Sequence, residues 1–354
     1  MKLFLAGASF DPSYGGPAYS VPRLGQALAA LGMEVGLWAP DGTAPIAAAG
    51  SGMKPLNGSL DAALADFGRP DLIHDNGIWM PHNHQIARTA GKRGIPRIVS
   101  LRGMLEPWAL GHRRWKKQLA WSLYQARDLR GADLLHATAE IEAENARARG
   151  LQGPFCVIPN GVDLPAPVAA PARKPHRAAL FVSRIHPKKG LPMLLRAWAK
   201  LRPEGWRLEI AGPDEGGHRE EVAALIATLG LDNEVRLLGA IYGEEKAALF
   251  AGADFFVLPT YSENFGIAIA EALAYGVPVL TTRGAPWELL ETHDCGWWVD
   301  PTEEAVLQGL RAAIDLPDGA RRDMGRRGAA MVAERFEWGG IAMQFHRQYL
   351  ALAA

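Results

Sequence analysis

The sequence predicts an α/β protein made of two blocks of alternating strands and helices, each block with a parallel sheet. Three observations carry this. Short apolar runs such as Phe255–Leu258 (FFVL) alternate with helix-permissive stretches along the chain, and strand–helix repeats give parallel strands with right-handed crossovers. The Pro- and Ala-rich stretch DLPAPVAAPARKPH, with Pro165, Pro167, Pro171 and Pro175, interrupts the alternation near the middle as a linker does. At 354 residues the chain can fill two hydrophobic cores. Two such blocks joined by a linker predict a ligand cleft between them.

Composition narrows the partners. The net charge is zero, so nothing overall points to nucleic acid. Residues 1–165 carry 17 Lys/Arg against 14 Asp/Glu, and the remainder 21 against 24. Cys156 and Cys295 lie singly in apolar, strand-like runs and read as buried free thiols in a reducing compartment. A cytoplasmic location is expected. The opening MKLFLAGASF is too short an apolar run for a signal peptide and reads as the first strand. No run approaches the ~20 apolar residues that span a bilayer.

In the first block, Lys2 to Ala8 is a strand and Ala18 to Leu31 a helix closed by Gly32. Between them Gly15-Gly16-Pro17 lets backbone approach a ligand at a helix start, where anions are favoured. A plain turn explains two glycines equally well, and the G-x-G-x-x-G dinucleotide spacing is absent. Glu34 to Ala39 is the second strand, and residues 41–58 are expected to be a surface loop. Asp71 to His74 is a strand running into HDNGIWMPHNH. Its histidines, His74, His82 and His84, lack metal-ligand spacing and read as structural. Arg97 to Leu101 is a strand running into RGMLEPWAL. Arg102 cannot act as a base at neutral pH. It suits the steadying of negative charge or the holding of an acceptor phosphate, or a structural pair with Glu106.

Trp108 to Arg130 interleaves His112, Arg113, Arg114, Lys116, Lys117, Arg127 and Arg130 with Trp108, Trp115, Trp121 and Tyr124. Such a stretch is either a basic amphipathic surface for anionic lipid or a solvated helix whose aromatics pack inward. Asp133 to Ala137 and Phe155 to Ile158 are strands flanking a helix over 139–149. Asn160-Gly161 signals a turn.

In the second block, Ala178 to Val182 is a strand running into SRIHPKKGLPMLLRAW, where Arg184 and Lys189 share a strand-to-helix loop with Gly190 at the bend. Trp206 to Ala211 is a strand, His218 to Leu229 a helix, and Val235 to Leu238 a strand followed by GAIYG. Next comes DFFVLPTYSENFGIAIAEALAYGVPVLTT, read as strand, loop, helix, strand. Ser262 or Asn264 is expected to cap a helix over Phe265–Tyr275, ended by Gly276 and Pro278. The final helices are expected over 302–315, 319–335 and 338–353.

Glu271 is the one charged residue on that helix. A buried carboxylate needs hydrogen-bond donors, and a ribose diol supplies two. Glu263 precedes the helix, and the glycine at its start favours phosphate. A nucleotide sugar fits all three features. Spacing alone leaves open a plainer arrangement, with Glu271 paired to an Arg and Glu263 solvated.

Glu263 and Glu271, with seven residues between them inside SENFGIAIAEALAYGVPV, resemble the signature of the retaining glycosyltransferases of family 4, which have the GT-B fold. That fold is two Rossmann-like domains facing across a cleft. HATAE and PNGVD are similar to family landmarks, and RGMLEPWAL and APWELL are similar to bacterial exopolysaccharide and lipopolysaccharide enzymes. The resemblance implies an acceptor-binding domain over 1–165, a linker over 166–176, a nucleotide-sugar domain over 177–335, and a helix over 336–354 crossing back to the first domain. It implies that Gly15 and Gly16 face the donor phosphates. It implies that Arg184 and Lys189 neutralise the departing diphosphate, that Glu263 orients the hexose and that Glu271 holds the ribose. Asn264, Phe265, Gly266 and Ile267 would bind phosphate through backbone, and Ile241 would lie at the nucleobase.

Two positions depart from the family pattern, both near the transferred sugar. Asn76 stands for the second His of His-x-His-Gly-x-Trp, and Arg102 stands for a common His. No Asp-x-Asp occurs in the chain, so fixed cations would replace a metal, and no cofactor is expected. The reading is a metal-independent retaining transfer of hexose from a UDP- or GDP-sugar to a glycan or lipid-linked acceptor. The stretch 108–130 would rest on an anionic inner membrane face. A nucleotide-sugar epimerase of the same fold, or a non-catalytic partner subunit, is the alternative.

Overall fold

The computed structural model describes residues 1–11, 14–43, 52–111, 114–165 and 176–353. The chain forms two compact units, Met1–Gly161 with Trp338–Ala354, and Val162–Glu337. Most of the expected linker, 166–175, lies outside the described residues, as do His112 and Arg113 of the basic stretch.

The first unit holds seven strands: β1 (Lys2–Ala6), β2 (Glu34–Trp38), β3 (Met53–Leu56), β4 (Leu72–Asn76), β5 (Arg97–Ser100), β6 (Leu134–Ala137) and β7 (Phe155–Val157). All pair in parallel, in the order β3-β2-β1-β4-β5-β6-β7. β1 is buried from Leu3 to Ala6, which is why it reads as a continuous apolar run and not as alternation. The order reverses between β1 and β4. In α/β sheets that switch point opens a crevice beyond the strand ends.

One expectation fails here. Residues 41–58 are not all loop, because Met53–Leu56 forms β3. It pairs only with β2 at the sheet edge, where Pro55 is tolerated and hides the strand from a pattern search. Residues 44–51 lie outside the described residues.

The helix Trp338–Ala353 packs in this unit against Gly16–Ala30 and β4. It contributes Trp338, Ile341, Ala342, Phe345 and Tyr349 to one hydrophobic core. A buried hydrogen-bond chain also ties it to the sheet. Tyr349 Oη meets His74 Nδ1 at 2.7 Å, His74 Nε2 meets Ser100 Oγ at 2.7 Å, and Ser100 Oγ meets His136 Nδ1 at 2.6 Å. His136 Nε2 lies 2.7 Å from the carbonyl of Ile158. A carbonyl only accepts, so His136 carries its proton on Nε2. The direction then follows: Ser100 donates to His136, His74 donates to Ser100, and Tyr349 donates to His74. Burial keeps both imidazoles neutral, with His136 pushed down to about 3 by desolvation and the charge of Arg102.

The second unit holds β8 (Arg177–Val182), β9 (Trp206–Ala211), β10 (Val235–Gly239), β11 (Phe255–Leu258), β12 (Val279–Thr282) and β13 (Gly296–Val299). They are parallel, in the order β10-β9-β8-β11-β12-β13, with the reversal between β8 and β11. The helix Ile267–Ala274 follows β11 and packs on Asp318–Phe336. The approach needs glycine: a Cβ on Gly325 would stand 1.8 Å from the Gly276 carbonyl oxygen.

Candidate functional site

The loops after β8 and β11 meet at the second unit's switch point, and backbone contacts lock them together. The Lys188 carbonyl accepts from Tyr261 N at 2.8 Å and from Thr260 Oγ1 at 3.0 Å. Gly190, at φ 72°, closes the short turn Pro187–Lys189, and a Cβ there would sit 2.0 Å from the Pro259 carbonyl oxygen. Only glycine satisfies both the left-handed backbone and that contact.

The turn aims Lys189 at Glu263. Their charged ends form an ion pair, with side chains 9% and 15% exposed. Burial alone would raise the Glu263 carboxyl. Lys189, Lys188 and Arg184 outweigh it and hold the group below the ordinary carboxylate value. Glu263 is therefore paired, not solvated. Arg184 reaches outward instead, to an exposed pair with Glu215 at 2.8 Å.

The following segment is fixed from the other side. Glu263 N donates to the Gly284 carbonyl at 2.7 Å, and the Phe265 ring packs on Trp287 and Phe336 at 5.4 and 5.5 Å. The helix begins from Gly266 at φ 82°, and no side chain caps it. The expected cap by Ser262 or Asn264 is thus not formed. Gly266 takes the cap position, in the left-handed region. Asn264 Oδ1 is buried without a hydrogen-bond partner. The helix itself spans Ile267–Ala274, shorter than the expected Phe265–Tyr275.

Glu271 lies one turn into this helix. Lys246 Nζ lies 2.7 Å from Oε1 and 2.8 Å from Oε2, engaging both oxygens. The partner is a lysine, not an arginine. Burial raises the Glu271 carboxyl and Lys246 offsets part of that. Lys246 sits on the helix Gly243–Ala251 and was not singled out from the sequence. Its i,i+25 relation to Glu271 has no local periodic signal. Ile241 lies in the turn between β10 and that helix, partly buried against the unit's core.

The first unit holds the remaining residues. Gly15, at φ 93°, precedes the helix Gly16–Ala30, with Pro17 in its first turn. Asn76 ends β4 and donates from Nδ2 to the Ala6 carbonyl on β1 at 3.0 Å. Its Oδ1 accepts from Arg102 Nε at 3.1 Å and Nη2 at 2.5 Å. Arg102 Nη1 also donates to Asn160 Oδ1 at 2.8 Å and lies 3.4 Å from Ser20 Oγ. The two departures from the family pattern are therefore in direct contact. Among the described residues no ion pair joins Arg102 to Glu106 or any other carboxylate. Asn160 and Ser20 are members that sequence reading missed, since only the fold brings them together.

The histidines of HDNGIWMPHNH are spread through the packing. His74 belongs to the buried chain, His82 packs edge-on to Trp38, and His84 Nδ1 lies 2.6 Å from Asp128 Oδ2. Among the described residues no group of three or more His, Cys, Asp or Glu is arranged to hold a metal ion. Over 107–130 the aromatics divide. Trp121 packs on Trp79 and Tyr124 on His84, while Trp108, Trp115, Leu119 and Leu123 are exposed. No described helix is long and apolar enough to cross a membrane.

Two family models match the chain: "Glycosyl transferases group 1" over residues 168–331 and "Glycosyl transferase 4-like domain" over 56–161. The D-inositol 3-phosphate glycosyltransferase of Kineococcus radiotolerans is 33% identical over 308 residues, 77% of this chain and 69% of its own. The GDP-mannose:cellobiosyl-diphosphopolyprenol alpha-mannosyltransferase of Xanthomonas campestris is 27% identical over 85% of this chain and 79% of its own. Among solved structures, Anabaena Alr3699/HepE in complex with UDP and glucose superposes with a TM-score of 0.78. It is 20% identical and covers 99% of this chain and 100% of that one.

Proposed function

Because the chain belongs to the group 1 glycosyltransferases of family 4, with the GT-B fold, we propose that it is a retaining, metal-independent hexosyltransferase. Its donor would be a UDP- or GDP-linked hexose and its acceptor a lipid-linked or polysaccharide glycan. The observation that carries this is the clustering at the second unit's switch point. Glu263, the helix start at Gly266 and Glu271 lie in one continuous segment, Lys189 comes from the loop locked to it, and Lys246 reaches Glu271 from the helix Gly243–Ala251.

In this reading the amides after Gly266 and the Lys189 ammonium receive the diphosphate. Lys189 stabilises negative charge as the glycosidic bond breaks, where a preset cation counts most. Arg184, exposed and held by one surface pair, turns from Glu215 to join it. Glu263, kept ionised, accepts from sugar hydroxyls, and Asn264 Oδ1 is an acceptor already desolvated for one more. Glu271 accepts the ribose diol. The acceptor hydroxyl attacks on the face the diphosphate leaves, and the leaving phosphate oxygen takes its proton. Both UDP and GDP stay in the reading, since a structural neighbour is described with UDP and a relative is named for GDP-mannose. That relative's cellobiosyl-diphosphopolyprenol supports a lipid-linked acceptor. The exposed Trp115, Leu119 and Leu123 beside Lys116 and Lys117 would rest on anionic lipid at the cytoplasmic membrane face.

The test is donor turnover by the purified chain across UDP-, GDP- and dTDP-hexoses, with and without EDTA. Turnover should persist in chelator. Lys189→Ala should lower it by about 10²–10³-fold, the cost of removing one transition-state charge partner. Turnover abolished by EDTA and restored by magnesium would overturn the metal-free reading. Near-native turnover by folded Lys189→Ala would overturn the role of that residue.

A further inference from the structure

We propose that Arg102, with Asn76, Asn160 and Ser20, forms an anion site in the first unit that takes a phosphate group carried by the acceptor. The proposal rests on the transferase reading for its word "acceptor", and on the geometry of the first unit for everything else.

The guanidinium is held by neutral oxygens alone. Asn76 Oδ1 spans the Nε–Nη2 edge, Asn160 Oδ1 takes Nη1, and Ser20 Oγ stands 3.4 Å away. These come from three separate segments: the end of β4, the turn after β7, and the helix Gly16–Ala30. Among the described residues no carboxylate lies within ion-pair distance of Arg102. Glu142, the nearest acidic influence, spends its oxygens on Gly103 N, Thr138 N and Thr138 Oγ1. A cation held out of water without an ion-paired carboxylate is costly, and Glu142 offsets only part of that cost. Desolvation accordingly pushes the Arg102 guanidinium down to about 10. Its charge is felt by His74, His136 and Tyr349.

The backbone also gives up stability at this residue. Arg102 has φ 55°, one of four non-glycine residues with positive φ among those described. Such strain persists only where the surroundings over-determine it. Here the strained residue, the unpaired charge and the amide clamp coincide at the ends of β4 and β5, beside the reversal between β1 and β4, where α/β sheets bind ligands. The clamp leaves one Nη2–H without an acceptor and one Nη1–H loosely held. These are donors of the kind that phosphate oxygens accept. Arg102 as a residue is partly exposed.

The experiment titrates methyl phosphate and inorganic phosphate into the full chain by calorimetry, with Arg102→Gln, Arg102→Lys and Ser20→Asp alongside. Both probes should bind the native chain. Arg102→Gln should weaken them at least tenfold and Arg102→Lys less, since lysine keeps the charge but loses the fork. Ser20→Asp places a carboxylate next to Nη1 and should abolish binding while the thermal midpoint stays near native. It tests the site even where Arg102→Gln fails to fold. Undiminished phosphate binding by folded Arg102→Gln or by Ser20→Asp overturns the proposal. So does no binding by the native chain. Binding of inorganic phosphate with rejection of methyl phosphate overturns the acceptor-borne source. Donor hydrolysis by the same native sample separates this from the wider reading. Turnover without phosphate binding sinks only the anion site, and Arg102-dependent phosphate binding without turnover of any nucleotide sugar sinks only the transferase.

Discussion

At the scale of single residues, Glu271 is a buried carboxylate balanced by one cation. Lys246 bridges both carboxylate oxygens, the two positions a ribose diol would occupy. The lysine thus offsets part of the cost of burying that carboxylate. Burial raises the Glu271 carboxyl from its ordinary value and Lys246 pulls it back. Lys246→Met removes that pull, so the carboxyl rises further. In the proposed donor complex the ionised form holds the ribose, so the acid limb of the kcat/KM profile should move to higher pH in this variant. The alkaline side should change little. kcat/KM reports groups of the free enzyme. An acid limb that does not move would mean that Glu271 titrates elsewhere or plays no part in donor binding. Gly190 makes a second residue-scale prediction. Its φ of 72° and its contact with the Pro259 carbonyl leave no room for a side chain, so Gly190→Ala should push the Lys189 turn off the β11 loop. The expected result is a loss of donor turnover larger than the loss of thermal stability, read from both on one sample.

At the scale of elements, the buried chain from Tyr349 to the Ile158 carbonyl ties a helix and three strands through one set of proton positions. Tyr349→Phe removes the only donor facing His74 Nδ1 in that chain. An unsatisfied buried acceptor costs about 1–3 kcal/mol, well above the area lost with one oxygen. Urea unfolding should show that loss in the first unit, and a change under ~0.5 kcal/mol would mean that His74 turns over or that water enters. Such a chain was beyond sequence reading, because Tyr349 and His74 are 275 residues apart. What sequence could read was local. Strands such as β1 and β11 announce themselves because both faces are buried and their buried residues are apolar. β3 was lost because an edge strand tolerates Pro55. The helix after β11 was visible, but its start was not. Its cap is Gly266, set by packing of Phe265 on Trp287 and by the Gly284 contact, not by a side-chain oxygen. Glu263 and Glu271 stood out as carboxylates beside apolar helix, and Arg184 and Lys189 as a loop pair. Lys246, Asn160 and Ser20 did not, since each meets its partner only through the folded sheet.

At the scale of the whole molecule, the chain changes unit after Gly161 and again after Glu337. The last helix therefore completes a core begun by the first strand. Trp338, Ile341, Phe345 and Tyr349 are all buried among residues such as Leu3, Leu5, Val21 and Leu24. Burying a large apolar side chain contributes about 1.5–3 kcal/mol, so these four together bring roughly 6–12 kcal/mol. That is as large as the whole stability of a typical domain. The second unit's core draws on none of them. Ending the chain at residue 337 should therefore unfold the first unit and leave the second cooperative. Hydrogen exchange offers the direct reading. In the truncated chain, amides of β1, β4 and β5 should exchange at near-unfolded rates, while those of β8, β9 and β11 keep their protection. The phosphate binding assigned to Arg102 should vanish with the first unit, because Asn76, Asn160 and Ser20 no longer share a fold. Retained protection of β1 and β4 in the truncated chain would show that the core closes without the helix. Parallel loss of protection in β8 and β11 would show that the two units fold as one.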